Sequence, residues 1–290
     1  MRAAAPQLSK IPDAEAGPFF TVHCLLPTRD CCRLNAGFFF SYTKPPSMKV
    51  SVIIPAAGLG TRMSAAARSK NKKEVISKQF TALRGVPMLI RTLRVFAAHP
   101  RIDELVVVLR KDEIPGFQAR LDKEEREISK KKVSLVEGGE HRQESVTNGL
   151  NSLRSEPDDI VLVHDAVRPF VDDSMIDEVI GAAGKYGAAI VGLPAVDTIK
   201  QVDRTAEGAL ITATIPRERV VMAQTPQGFR YSIIKKAFDD AAADGFVGTD
   251  EASLVERARY PVAVVMGSPR NLKITTPADL ELAEFYLEKR

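Results

Sequence analysis

Apolar residues recur along this chain in two alternating rhythms: short unbroken runs, and longer stretches with apolar positions three and four apart. Val50, Val52, Ile53 and Ile54 form the first run and predict a strand buried in a sheet. Pro55 closes it, because its ring fixes φ and leaves no N–H for a central ladder. The same pattern predicts strands at Glu104–Leu109, 133–137, Ile160–Val163, 188–193, 262–266 and 271–274. Helical spacing appears over Met88–Ala98, with Leu89, Leu93 and Phe96 on one face, and over 142–153, with Val146, Leu150 and Leu153 together. Further helices are expected from an N-cap at Ser174 to about Lys185, over 233–243 and 249–258, and from Pro277 to about Glu288. At the start of 249–258, Thr249 fits a simple N-cap, whereas Ala252 excludes the full capping box. Strands alternating with helices imply an α/β, Rossmann-like, mostly parallel sheet flanked by helices on both faces.

Three stretches depart from this rhythm. Residues 196–216 alternate like paired strands about a turn at Ala206-Glu207-Gly208 and predict a β-hairpin projecting from the domain. Residues 64–77 are polar and basic and read as a mobile loop, and 123–132 reads as a solvated charge run. Residues 1–47 carry six prolines (Pro6, Pro12, Pro18, Pro27, Pro45 and Pro46) and neither periodicity. Arg29, Asp30 and Arg33 interrupt their apolar patches, unlike a signal peptide, and Asp13, Glu15 and Asp30 do not suit a transit peptide. The expectation is a translation start placed too early, with Met48 the true initiator, or else a disordered extension; either way the functional domain is 48–290.

Composition narrows the function classes. The formal net charge of the 290 residues is only +4, from 41 basic against 37 acidic residues, which gives no nucleic-acid footprint. No apolar run approaches the roughly 20 residues of a membrane span. Cys24, Cys31 and Cys32 are the only cysteines, so from Met48 onward there is no disulfide, thiolate metal site or cysteine nucleophile, in keeping with a reducing, cytoplasmic setting.

Candidate chemistry gathers where the strands end. Behind Pro55 come Ala56, Ala57, Gly58, Gly60, Thr61 and Arg62: a bare turn whose N–H groups can approach an anion, then an always-charged fork. The P-loop signature is absent, and Met63 takes the third small position of a dinucleotide fingerprint, which disfavours a nicotinamide dehydrogenase. Later strand ends supply Gly138-Gly139-Glu140 through Ser145, then His164-Asp165-Ala166-Val167-Arg168, then Asn271-Leu272-Lys273, while Lys78 joins from the basic loop. Several cations around one strand-end carboxylate suit a polyphosphate and a divalent cation. His141 and His164 read as structural.

The stretches PAAGLGTRM (55–63), KQF (78–80), GGEHRQESV (138–146), HDAVRP (164–169), DTIK (197–200), TPQGF (225–229), TDEASLVE (249–256) and NLKIT (271–275) stand in order. Together they resemble the 2-C-methyl-D-erythritol 4-phosphate cytidylyltransferase family, from about Met48 to the C-terminus. The resemblance implies transfer of a cytidylyl group from CTP to a polyol phosphate with Mg²⁺, in non-mevalonate isoprenoid precursor synthesis. It implies that Pro55, Ala56, Ala57, Gly139, Glu140, Ser145 and Ala166 frame the nucleotide and that Gly58, Gly60, Thr61 and Arg62 hold the triphosphate. Arg62, Lys78 and Lys273 would be catalytic and Asp165 would hold Mg²⁺. Arg168, Thr198, Arg217 and Thr249 would contact the polyol phosphate, with the hairpin reaching into a second subunit of a homodimer. Two departures stand out: a longer loop before Lys78, which makes Lys72 and Lys73 rivals for its role, and Ser77 where the family pattern commonly has Pro. Ribitol 5-phosphate as acceptor, a sugar-1-phosphate nucleotidyltransferase using another base, and a non-catalytic nucleotide-binding module are the alternative readings.

Overall fold

The computed structural model describes residues 48–58, 77–124 and 128–289. In chain order these form β1 (Val50–Pro55), a small ribbon β2–β3 (Ala82–Leu83 and Val86–Pro87), α1 (Met88–Ala98), β4 (Glu104–Leu109), α2 (Ile114–Glu124), β5 (Lys132–Glu137), α3 (Arg142–Ser152) and β6 (Ile160–Val163). There follow α4 (Asp173–Tyr186), β7 (Ala188–Pro194), the hairpin β8–β9 (Ile199–Thr205 and Gly208–Ile215), β10 (Val221–Arg230), α5 (Tyr231–Ala243), α6 (Glu251–Arg257), β11 (Ala263–Met266) and α7 (Pro277–Glu288). The expectations for residues 1–47 and for most of the 64–77 loop fall outside the described residues.

Seven strands share one sheet in the order β11-β7-β10-β6-β1-β4-β5. β1 pairs parallel with β4 and β6, β4 with β5, and β11 with β7; β10 alone runs antiparallel, between β6 and β7. The period of two in β1 divides the core. Val50, Val52 and Ile54 pack with Leu89, Leu93 and Phe96 of α1 and Ile176, Val179 and Ile180 of α4. Ile53 faces the other way, among Val146 and Leu150 of α3 and Ile234, Ala237 and Phe238 of α5. A third cluster joins Leu83 and Met88 to Val167, Phe170, Ile274 and Ala283, seating α7 beside the turn that follows β6.

Several expectations change. The sheet is mostly parallel as expected, but β10, which the apolar pattern does not mark, enters its middle as the antiparallel strand. Its residues Gln224, Thr225 and Gln227 are buried and polar, and Pro226 and Gly228 disrupt strand propensity. A register shift between Ala223 and Gln227 accommodates the proline. Residues 271–274 are irregular, not a strand: Ile274 N–H bonds to Val167 O instead of a ladder. Asp172, not Ser174, caps α4, accepting from Met175 N–H at 2.9 Å. Asp250, not Thr249, caps α6, accepting from Ser253 N–H at 3.0 Å. The run 123–132 is partly built in: Ile128 is fully buried, Lys131 Nζ donates to Ile102 O at 2.8 Å, and Lys132 pairs with buried Glu104 at 2.7 Å. Helix α2 was not foreseen, since Pro115 and Gly116 sit in its first turn, where a proline's missing N–H costs nothing.

Candidate active site

The parallel strands β1, β4, β5 and β6 point their carboxyl ends the same way, and there a cleft of about 190 Å³ opens, the place where such sheets bind ligands. Pro55, Ala56, Ala57, Gly58, Lys78, Gly139, Glu140, Ser145, Asp165 and Ala166 line it, together with Gln79, His141, Arg142 and Val167. Ten of the residues named from the sequence therefore share one cavity. Gly60, Thr61 and Arg62 lie outside the described residues, as do the rivals Lys72 and Lys73.

The turns after β1 and β5 touch. A Cβ on Gly138 would stand 2.4 Å from that of Ala57 and 2.9 Å from Ser145 Oγ, so the first glycine is required by its protein neighbours. Ser145 Oγ accepts from Gly139 N–H at 3.2 Å and donates to His141 O at 3.1 Å. Glu144 reaches back to Glu140 N–H at 2.8 Å, so the loop is fixed by the first turn of the helix it precedes.

Asp165 is the electrostatic centre. Lys273 Nζ lies 3.0 Å and Arg168 Nε 3.2 Å from its Oδ2, and Arg142 Nη2 lies 3.5 Å from its Oδ1. Burial alone would raise the carboxyl pKa, but Arg142, Lys273 and Arg168 together hold it far below the ordinary carboxylate range. Arg168 is itself buried, beneath the cleft lining, and donates to Asn271 O at 2.8 Å. It therefore braces Asp165 and the 271–275 segment. Lys273 is half-exposed, with its ammonium on Asp165.

Two groups passed over in the sequence complete the arrangement. Arg142 grips Glu251 with both terminal nitrogens, Nη2 reaching Oε2 at 3.1 Å. Burial works against the Arg142 charge, yet Glu251 and Asp165 hold its pKa above the ordinary arginine value. Glu251 is almost wholly buried, and burial pushes its pKa up while Arg142 opposes the shift. Arg142 and Glu251 each lie inside a motif already quoted, but their pairing spans 109 positions, and no local pattern announces it.

His164 is fully buried behind the cleft residue Asp165, and its surroundings fix its protons. Arg168 O can only accept, so Nε2–H donates to it at 3.0 Å; Nδ1 then accepts from Thr225 Oγ1–H at 3.1 Å, and Thr225 Oγ1 accepts from Asp165 N–H at 3.1 Å. Complete burial lowers its pKa from 6.5 to about 4, in spite of the bond to Arg168 O. The unfolded chain takes up a proton through the ordinary histidine range while the folded chain does not, so this contribution to stability is complete above pH 6.5 and disappears as the pH falls toward 4. The expected total is roughly 3 kcal/mol. Urea denaturation at pH 7 and pH 4.5 checks it: the wild type should lose more stability between them than His164→Gln. Equal losses would place the acid sensitivity elsewhere, for instance at His99, whose burial also lowers its pKa.

Thr198, Arg217 and Thr249 are not in the cleft. Thr198 and Arg217 stand exposed at the base of the β8–β9 hairpin, where Arg217 Nη1 donates to Val196 O at 2.7 Å. Thr249 is exposed just before α6, in a small recess that includes Arg142 and Glu251.

A mostly parallel α/β sheet whose strand ends carry a narrow cleft, walled by small residues and lined with cations, defines a nucleotidyltransferase-type enzyme. A sequence model of the 2-C-methyl-D-erythritol 4-phosphate cytidylyltransferase family matches residues 50–289. Enzymes of that description from Acidobacterium capsulatum and Solibacter usitatus are 56% and 49% identical over 243 residues, covering 84% and 83% of this chain and 99% and 97% of their own. The crystal structure of the 4-diphosphocytidyl-2C-methyl-D-erythritol synthase of Anaerococcus prevotii superposes with a TM-score of 0.68 at 31% identity, covering 83% of this chain and 99% of that one. The Thermus thermophilus cytidylyltransferase does so with 0.65 at 34%, covering 83% and 100%. The chain belongs to the 2-C-methyl-D-erythritol 4-phosphate cytidylyltransferase family.

Proposed function

We infer that this enzyme transfers the cytidylyl group of CTP to 2-C-methyl-D-erythritol 4-phosphate, releasing pyrophosphate, in the non-mevalonate route to isoprenoid precursors. The observation that carries the chemistry is the convergence of Lys273, Arg142 and Arg168 on the buried Asp165, at the floor of a cleft that Lys78 also lines. The acceptor phosphate is already anionic near neutral pH, so no strong general base is needed. One of its oxygens attacks the α-phosphorus of CTP in line; the new P–O bond forms as the bond to the β-phosphate bridging oxygen breaks, and pyrophosphate leaves with that electron pair. The barrier is the approach of an anion to a polyanion and the charge that builds as the bonds exchange. Lys78, which lines the cleft, and Lys273, whose ammonium lies on Asp165, are cations suited to that task, and Arg62 is assigned the same role.

In this reading Pro55, Ala56, Ala57, Gly139, Glu140, Ser145 and Ala166 frame the cytosine and ribose. Gly58, Gly60 and Thr61 take the triphosphate. Among the described residues no group of three or more acidic, His or Cys side chains could hold a metal ion. One carboxylate nevertheless suits Mg²⁺, which commonly binds through one or two carboxylates plus substrate phosphates. Asp165 Oδ1, whose cationic neighbour Arg142 stands at 3.5 Å, would hold it; bound there, Mg²⁺ would neutralise triphosphate charge.

Arg168, by its burial, supports the acceptor side through Asp165, while Thr198, Arg217 and Thr249 contact the acceptor, the first two from a partner subunit. The hairpin exposes Val202, Leu210 and Ile211, and Val221, Met222, Val264 and Met266 are exposed as well, as expected of surfaces that meet a second copy in a homodimer. No described helix is long and apolar enough to cross a membrane. We assign the enzyme to the cytoplasm and its catalytic unit to residues 48–290.

The test is pyrophosphate release with Mg²⁺ and CTP, comparing methylerythritol 4-phosphate with ribitol 5-phosphate, for the full chain and for residues 48–290. Fast release with the first acceptor alone, from both proteins, is expected. Preference for ribitol 5-phosphate would keep the reaction and change the pathway. CTP binding without release from either would make the chain a binding module.

A further inference from the structure

Helix α3 carries a second tether beside Arg142. The Gln143 side chain bonds in both directions to the segment before α6: Oε1 accepts from Gly248 N–H at 2.9 Å and Nε2 donates to Phe246 O at 3.0 Å. One amide thereby pairs with the backbone on either side of Val247, as a neighbouring strand would. Phe246 is also tied back to α5 by its N–H on Ala241 O at 2.9 Å and lies under the Arg257 guanidinium at 4.8 Å, whereas Val247 beyond it is 70% exposed. The segment is also cramped: a Cβ on Gly248 would stand 2.6 Å from both Leu254 Cδ2 and Ser253 Oγ, so a small displacement is resisted on one side and Gln143 closes the other. Three residues beyond Gly248, Glu251 holds Arg142. The stretch from Phe246 to Glu251, with Thr249 inside it, is thus fastened to the first turn of the helix that begins at the Gly139-Glu140 loop.

We propose that Gln143 is a positioning residue for the acceptor subsite: its amide fixes the 246–249 segment and so sets where Thr249 stands relative to the cleft. The proposal rests on the reading of Thr249 as an acceptor-phosphate contact. Neither the cleft lining nor the motif logic assigns Gln143 a role.

The test uses the full chain with Gln143→Met, which keeps the length of the side chain and removes both hydrogen bonds, beside Thr249→Ala and the double variant. Gln143→Met should raise KM for methylerythritol 4-phosphate about tenfold, the scale of one or two net hydrogen bonds, with kcat and the KM for CTP within about twofold. Backbone amide exchange over 246–249 should quicken in the same variant without ligand. The double variant should be no worse than Thr249→Ala, because both changes act through one contact. An unchanged acceptor KM, an equal rise in both KM values, or multiplying effects in the double variant would overturn the proposal. If Thr249→Ala raises the acceptor KM and Gln143→Met does not, the inference alone fails. If Thr249→Ala is silent, the reading of Thr249 fails and takes the proposal with it.

Discussion

Asp165→Asn should lower kcat by about 10³-fold, at or beyond the upper end of what one preorganised electrostatic group is worth, while CTP binds as tightly as before or tighter. The two effects have one source. In the wild type, the carboxylate offsets part of the positive charge of Arg142, Arg168 and Lys273. Removing it leaves the floor of the cleft more cationic, which favours a triphosphate, yet also removes the anchor that orients Lys273 and the carboxylate available to a divalent ion. Binding and turnover therefore part company, as they should when an interaction serves the transition state more than the ground state. Calorimetric titration of CTP beside steady-state pyrophosphate release checks this. Turnover within tenfold of wild type, or loss of CTP binding in step with kcat, would remove Asp165 from the centre of the mechanism. The pH dependence has a definite sign. A carboxyl held below its ordinary value of 3.8 contributes stability that is present above that value and lost only as the pH falls through the lower, folded value. No acidic limb of the rate profile above about pH 4 should belong to Asp165.

The parts of this site that are local were legible in the sequence, and the parts that are pairings were not. Val50–Gly58 shows its strand and turn because apolar burial and small residues alternate within nine positions. Helix α7 shows its limits as well, because Pro277 marks a helix start locally, and the structure places Thr276 as its cap. β10 was hidden because the residues that spoil its pattern serve the site. Thr225 supports the backbone of Asp165 and the ring of His164. Gln227 donates to Asp250 Oδ2 at 2.8 Å and accepts from Ala252 N–H at 3.0 Å, holding the start of α6. Local rules fail where polar groups are buried for a purpose. The resemblance supplied Asp165 and Lys273 as roles; only the fold shows that Arg168 lies beneath them and that Arg142 is held between Asp165 and Glu251.

Lys273→Ala and Lys78→Ala should each lower kcat about 10²-fold or more, the cost of removing one preorganised donor from developing charge, and the structure shows that each side chain starts from firmly held backbone. Lys273 sits between two fully buried residues, Asn271 and Ile274. Asn271 Nδ2 donates to Thr225 O at 2.9 Å, and Ile274 belongs to the cluster that seats α7, so the stem starts from immobile backbone although its tip is half-exposed. Lys78 opens a short 3₁₀ turn (Lys78–Phe80) between buried Ser77 and buried Gln79. Ser77 Oγ donates to Glu113 at 2.5 Å, and Arg110 holds the same carboxylate at 2.9 Å, so Ser77 fastens this turn by a hydrogen bond. Phe80 packs against Phe117 beyond it, at 5.9 Å between ring centres. Lys78 thus lines the cleft from a backbone turn held on both sides. Because the cleft contains Lys78, it should outrank Lys72 and Lys73: Lys78→Ala is expected to be severely impaired while Lys72→Ala and Lys73→Ala retain most of their turnover. A silent Lys78→Ala beside an inactive Lys72→Ala or Lys73→Ala would hand the role to the longer loop, whereas near wild-type turnover in Lys273→Ala would show that its contact with Asp165 is structural.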